Sequence, residues 1–321
     1  MTQTTTSSRV KSMKWQFRRL MQARHTTNYL RTIGCNEAAD QLVSALISHG
    51  PYTSSDQMPD LFLPELTGRP VWNTADFPIA RMLEEHWEQI RDEFDACIRN
   101  HAEDTGFVDA EAPTMWDGSW QQLFLYLHGR PQPYLKHFPG VEKLLQPFFG
   151  ELDVPMSGIS FSRLSPGTII DPHFGTHNAR LRVHLPIHES PGAVLKVGDE
   201  ELEWKNGQCL IFDDSFSHSV RHDGDQDRIV LILDIWHPET DRPLRDDIIE
   251  VTGNRRFMMK DAREFMRSRQ IKSISNEDEG LTVKMNPDIE MNIQSIMNKL
   301  MIEKVECTDA ENLDITPKMW F

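Results

Sequence analysis

The stretch Ser160–Pro238 reads SFSRLSPGTIIDPHFGTHNARLRVHLPIHESPGAVLKVGDEELEWKNGQCLIFDDSFSHSVRHDGDQDRIVLILDIWHP, and it decides the fold. Apolar and β-branched runs at 160–164, 168–170, 180–187, 193–197, 201–204, 208–212, 218–221 and 228–236 are separated by Ser165-Pro166-Gly167, Pro191-Gly192, Gly198-Asp199 and Asn206-Gly207. Short β-forming segments punctuated by Pro, Gly, Asn and Asp predict an antiparallel all-β unit. Within Arg180–Ile187, Leu181, Val183 and Leu185 point one way and Arg180, Arg182 and His184 the other, because side chains alternate along a strand. One face packs and the other carries charge.

On the outside of a sandwich that charged row would be solvated surface. Inside a jelly roll wide enough for a ligand it would be an anion-binding wall. The neighbours favour the inside: Asp171-Pro172-His173-Phe174-Gly175 lies upstream, Asp213-Asp214-Ser215-Phe216-Ser217-His218 downstream, and Arg228 opens the most apolar run. Two neutral imidazoles from separate strands suit Fe(II), which takes N and O donors and leaves positions open. An arginine ten positions after the second histidine suits a dicarboxylate through a bidentate, charge-assisted pair. A single strand histidine says little; the ordered set is more specific.

The runs SRLSPGTIIDPHFGTHNARLRVHLPI, WKNGQCLIFDDSFSHSV and DRIVLILDIWHP resemble the catalytic domain of the aspartyl/asparaginyl β-hydroxylases, Fe(II)- and 2-oxoglutarate-dependent dioxygenases. The resemblance covers the middle third closely and extends weakly upstream through FLPELTGRPVWN (62–73). It implies a mainly β protein with flanking helices around a double-stranded β-helix (jelly-roll, cupin-like) core. It also implies Fe(II), 2-oxoglutarate and O2 as cofactors. By position, His173 and His218 become the metal ligands and, with Arg228, the catalytic set. Arg228, aided by Ser162, would hold the far carboxylate of 2-oxoglutarate, Arg182 and His184 would face the cosubstrate or substrate carboxylate, and Arg180 would lie beside them on the substrate side. Where most such oxygenases carry a third, carboxylate ligand, two positions after the first histidine, this chain has Gly175. The iron would then rest on two histidines. An empty position is also what an iron halogenase uses for chloride, so halogenation stays open. Asp171, Asp213 and Asp214 are the nearby carboxylates, and Asp213-Asp214 reads best as a turn supporting the site.

The implied reaction is hydroxylation of the β carbon of an aspartate- or asparagine-type amino acid, free, peptidyl or carrier-tethered, with release of succinate and CO2. The alternatives are a hydroxylase of a different amino acid or natural-product intermediate, and a non-catalytic jelly-roll binding protein. A binding module has no physical need for His173, His218 and Arg228 beside Ser162, Arg182 and His184.

The 321 residues suit one large domain with additions: an N-terminal helical segment at 1–50, the oxygenase domain with supporting helices at 51–240, and a helical extension at 241–321. A net charge of −15 excludes the basic footprint of a nucleic-acid binder. Neither an apolar leader nor an apolar stretch of the roughly 18 residues that span a bilayer is visible, so the expected location is cytoplasmic. Cys35, Cys97, Cys209 and Cys307 show no C-x-x-C spacing, which fits a reducing compartment that keeps iron ferrous.

Arg9, Lys11, Lys14, Arg18, Arg19, Arg24 and Arg31, interleaved with Trp15, Phe17, Leu20 and Tyr29, read as a basic N-terminal helix packing on an acidic body. A second short helix is expected over 36–47. From Asp76, the stripe Ile79, Met82, Leu83, Trp87, Ile90, Phe94 and Cys97 predicts one long helix to about Asn100, covering one face of the β unit. Residues 101–117 read as an acidic loop, 119–129 as a strand and 140–149 as a short helix. In the tail, helices are expected at 260–271 and 290–305 around an acidic 275–280 linker, with a partner or homodimer contact as its role, whereas a carrier-protein contact is the alternative reading of the basic N-terminal helix.

Overall fold

The computed structural model describes residues 8–32, 34–49, 52–103, 105–110, 115–127, 129–155, 157–252, 271–277, 280–285, 290–291, 302–307 and 313–317. These form two compact units, residues 65–245 and residues 1–64 with 246–321.

In the second of these, α1 (Ser8–Thr32) and α2 (Asn36–His49) bury Val10, Met13, Phe17 and Leu20 from one helix and Ala39, Leu42 and Leu46 from the other. Gly34, at φ 82°, takes the left-handed conformation that ends α1, and its N–H donates to the Arg31 carbonyl. The basic face of α1 finds acidic partners within this unit, Arg9 on Asp247 at 2.6 Å and Lys14 on Glu250 at 2.8 Å.

Among the described residues, the unit spanning 65–245 holds thirteen strands. They are β1 (Val71–Trp72), β2 (Val108–Asp109), β3 (Met115–Asp117), β4 (Trp120–Leu127), β5 (Arg130–Pro131), β6 (Gly158–Leu164) and β7 (Ile169–His173), followed by β8 (Arg180–His188), β9 (Ala193–Val197), β10 (Glu200–Glu203), β11 (Leu210–Phe212), β12 (His218–His222) and β13 (Arg228–Trp236). One sheet runs β1-β11-β8-β13-β6-β4-β2, with β5 on β4; the other runs β10-β9-β12-β7-β3, and every pairing is antiparallel. Gly198 at φ 56° lets β9 turn directly into β10, with Val197 facing Glu200.

Both sheets contribute to one interior, where Ala193, Leu195 and Val197 of β9 pack with Phe212 of β11, Val230 and Ile232 of β13, and Trp204. The outer face of the larger sheet is covered by α3 (Pro78–Glu85), α4 (Trp87–Asn100) and α5 (Pro139–Leu145), with α6 (Phe149–Leu152) beyond. There Leu181, Val183, Leu185 and Ile187 meet Ile79, Leu83, Ile90 and Phe94. Burying each such side chain contributes about 1.5–3 kcal/mol before chain entropy is counted. Since Leu181 to Ile187 face the helices, Arg180, Arg182 and His184 face the interior between the sheets. The charged row is an inner wall.

Three local expectations differ from the structure. The single helix from Asp76 to Asn100 is broken at His86, whose backbone is non-helical (φ −110°, ψ 15°) and whose Nδ1 takes the Met82 carbonyl at 2.9 Å. The apolar stripe runs through the break unchanged, which is why it is invisible to periodicity. The 101–117 loop contains two short strands, β2 against β4 and β3 against β7. In the tail after α7 (Arg242–Thr252), β14 (Ile271–Glu277) pairs with β15 (Gly280–Met285), β15 with β16 (Glu290–Met291), and β17 (Ile302–Cys307) with β18 (Leu313–Pro317). Strands thus stand where helix was expected at 290–291 and 302–305, and most of the other expected helix, 260–270, lies outside the described residues. Leu281, Val283 and Met285 alternate with Thr282 and Lys284, a period of two that suits a strand.

Candidate active site

His173 ends β7 and His218 begins β12, and the antiparallel register sets them directly opposite, ring centroids 4.1 Å apart. Each Nδ1 lies on the carbonyl two residues earlier, His173 on Asp171 at 2.8 Å and His218 on Phe216 at 2.9 Å. A carbonyl only accepts, so both Nδ1 atoms carry a proton, and in the neutral ring the lone pair then sits on Nε2, the tautomer a metal requires. Burial, and then the neighbouring His173, push the His218 ring down to about 3, so it stays neutral. Among the described residues, no group of three or more His, Cys, Asp or Glu side chains is arranged to hold a metal ion. The donor set is two imidazoles.

Gly175 explains why no carboxylate of its own joins them. Its N–H donates to the Asp214 carbonyl at 2.6 Å, and a Cβ there would lie 2.5 Å from the Asp214 Cγ and 2.8 Å from Oδ2. The Asp214 carboxylate fills the place of a side chain at 175. It is itself committed: Arg180 donates to it at 2.6 and 3.2 Å, and Arg182 lies at 3.3 Å. Asp234 completes the cluster, accepting from Arg182 at 2.9 and 3.3 Å and from Arg180 at 3.4 Å. Burial alone would raise Asp214, but the two guanidinium groups outweigh it and hold the carboxyl well below the usual range. Arg180 and Arg182, expected as open anion contacts, are therefore each bound to two carboxylates. Asp213 closes its own turn, Oδ1 accepting from the Ser215 N–H at 2.9 Å.

A contrasting group lies at the start of β13. Arg228 is 3% exposed, yet among the described residues its Nε has no hydrogen-bond partner, and its guanidinium reaches Ser162 Oγ only at a long 3.4 Å. Without a carboxylate beside it, burial pushes the guanidinium down to about 9. Arg182 shows the opposite balance, since Asp234 and Asp214 outweigh its burial and push it up. His184 is buried too, and its Nε2 is unpartnered. Buried donors left without acceptors cost about 1–3 kcal/mol each, so this corner is built for a ligand that accepts. Ser162, His184 and Arg228, singled out in the sequence, are brought to one place.

Three residues were not foreseen. Trp120 donates its indole N–H to Ser162 Oγ at 3.0 Å. Trp204 touches both His184 and Arg228. Asp234 shares the inward parity of Val230 and Ile232 on β13, a signal present in the sequence, as is the lone aromatic that follows the acidic run of β10 at Trp204.

Residues 84–238 match the family model described as aspartyl/asparaginyl beta-hydroxylase. The mouse protein named aspartyl/asparaginyl beta-hydroxylase is 33% identical over 179 residues, covering 54% of this chain and 24% of the relative. Human aspartate beta-hydroxylase domain-containing protein 1 is 36% identical over 196 residues, covering 59% and 50%. This chain thus spans half or less of the length of these curated relatives. Among solved structures, a Pseudomonas putida prolyl-4-hydroxylase aligns with 50% of this chain and 100% of its own at 14% identity and a TM-score of 0.33.

Proposed function

Residues 84–238 belong to the aspartyl/asparaginyl β-hydroxylase family, and from that premise we propose that this protein is an Fe(II)- and 2-oxoglutarate-dependent dioxygenase. Its substrate is an aspartate- or asparagine-type amino acid, free, peptidyl or carrier-tethered, hydroxylated at the β carbon. The observation that carries the reading is the pairing of two facing histidines, each held through Nδ1 by a backbone carbonyl, with a buried guanidinium that lacks a carboxylate among the described residues. His173 and His218 would hold Fe(II) through Nε2. Arg228 and Ser162 would take the far carboxylate of 2-oxoglutarate, and the Nε2 of His184 would donate to a second acceptor of the same ligand. When bound, the metal and cosubstrate supply the oxidising chemistry, with succinate and CO2 as products.

The protein's own contribution is placement and exclusion. The β7–β12 register sets His173 and His218 opposite each other, the apolar cluster between the sheets would limit water around a bound substrate, and no side chain is asked to act as a nucleophile.

Succinate release from anaerobically iron-loaded protein, given 2-oxoglutarate, O2 and a panel of free and peptidyl amino acids, tests the reading. One or more aspartate-type compounds should stimulate release, and His218→Ala should lose both iron binding and turnover. Wild-type protein that holds iron but releases no succinate with any compound would instead support the binding-protein alternative.

A further inference from the structure

Trp204 is a buried side chain in contact with both unsatisfied donors of the site. It follows β10, is 5% exposed, and belongs to the apolar cluster between the sheets. Its indole N–H donates to Nδ1 of His184 at 3.1 Å. The two rings lie nearly parallel, 18° apart in plane with centroids 6.0 Å apart, while Phe212 meets the same imidazole edge-on at 5.0 Å. On its other contact, the guanidinium carbon of Arg228 sits 4.6 Å from the Trp204 ring centroid.

These contacts have a chemical consequence. An indole N–H only donates, so Nδ1 of His184 must accept and the ring proton must sit on Nε2. That Nε2 is buried and has no hydrogen-bond partner. His184 is thereby made a donor aimed at a ligand rather than an acceptor. Arg228 gains a fixed seat without gaining a counter-charge, because an aromatic face attracts a cation while leaving its N–H groups unspent.

We infer that Trp204 is a positioning residue for the carboxylate-bearing cosubstrate: its indole N–H fixes the proton of His184 on Nε2, and its ring holds the Arg228 guanidinium in place. The ligand in this inference is the 2-oxoglutarate of the preceding reading. Trp204 acts in this inference through His184 and Arg228.

Two measurements test it. In metal-free, 15N-labelled protein, long-range proton–nitrogen correlation of the His184 ring should show the Nε2–H tautomer, and Trp204→Phe should mix or reverse it. Calorimetric titration of anaerobic Fe(II)-loaded protein should show 2-oxoglutarate binding about five- to tenfold weaker in Trp204→Phe, the loss expected when one such hydrogen bond is removed. Trp204→Tyr serves the same comparison if the phenylalanine variant does not fold. An Nδ1–H tautomer in the wild type, or unchanged 2-oxoglutarate affinity in the variant, overturns the inference. Wild-type protein with the Nε2–H tautomer but no 2-oxoglutarate binding overturns the cosubstrate reading, and with it the ligand assigned to Trp204. Wild-type binding that the variant retains in full overturns the role of Trp204 alone.

Discussion

Arg182 and Arg228 lie on adjacent strands of one sheet and face one interior, yet they are treated in opposite ways. Arg182 meets two carboxylates, and with Arg180, Asp214 and Asp234 it forms a cluster of two positive and two negative charges. Arg228 meets an aromatic face and a distant hydroxyl. Burying a charge is costly unless it is paired. The closed cluster meets that cost within the fold, whereas the open one leaves it for a ligand to meet. A satisfied buried charge therefore marks architecture, and an unsatisfied one marks a site.

The largest expected effect comes from breaking the closed cluster. Asp234→Ala takes from Arg180 and Arg182 one of the two carboxylates each is bound to, and removing one partner of a buried pair costs about 3–5 kcal/mol. Urea denaturation should report that loss. A change under about 1 kcal/mol would mean that the four charges are not coupled as the contacts indicate.

Acid separates the two groups next, because their titrating members differ. His177, His184 and His218 are buried, and burial pushes each down, His177 and His218 to about 3. His237 is buried and pushed down likewise, so below about pH 6.5 the unfolded chain takes up at least four protons that the native chain refuses, and stability falls as pH falls. Asp213, which burial pushes up to about 8, runs the other way: native protein keeps a proton that the unfolded chain has lost above about pH 4. The balance is about three protons, or about 4 kcal/mol per pH unit at full slope. Asp214, held low by the two arginines, contributes nothing in this window. Metal-free protein unfolded in urea at about pH 7 and about pH 5.5 should show the loss, and equal stability at both would place these histidines in contact with water.

How much of this contrast the sequence discloses depends on whether the information is local. The runs at 193–197 and 228–236 coincide with β9 and β13, because alternation and bounding turns are properties of neighbouring residues. The inward face of β8 was legible for the same reason. The partners of Arg180 and Arg182 were not, since strand period tells which face a residue occupies but not what lies across it. Asp234 reaches Arg182 only through the β8–β13 register, and Asp214 reaches Gly175 from a loop beyond β11. That the glycine brings no side chain of its own is legible in the sequence; that a carboxylate from elsewhere fills its space is a fact of tertiary structure.

The smallest expected effect on stability is also the most pointed, because its sign is reversed. Arg228→Met removes a buried charge that has no carboxylate, at the loss of a cation–π contact and one long hydrogen bond. Those terms nearly offset, so the variant should be as stable as wild type or about 1 kcal/mol more so. Its 2-oxoglutarate affinity should nevertheless fall on the order of a hundredfold, since truncating one side of a buried charge pair costs about 2–5 kcal/mol of binding. Stability from urea denaturation and affinity from calorimetry must therefore move apart. If they fell together, Arg228 would be a structural residue of the same kind as Arg182, and the distinction between the closed cluster and the open one would fail.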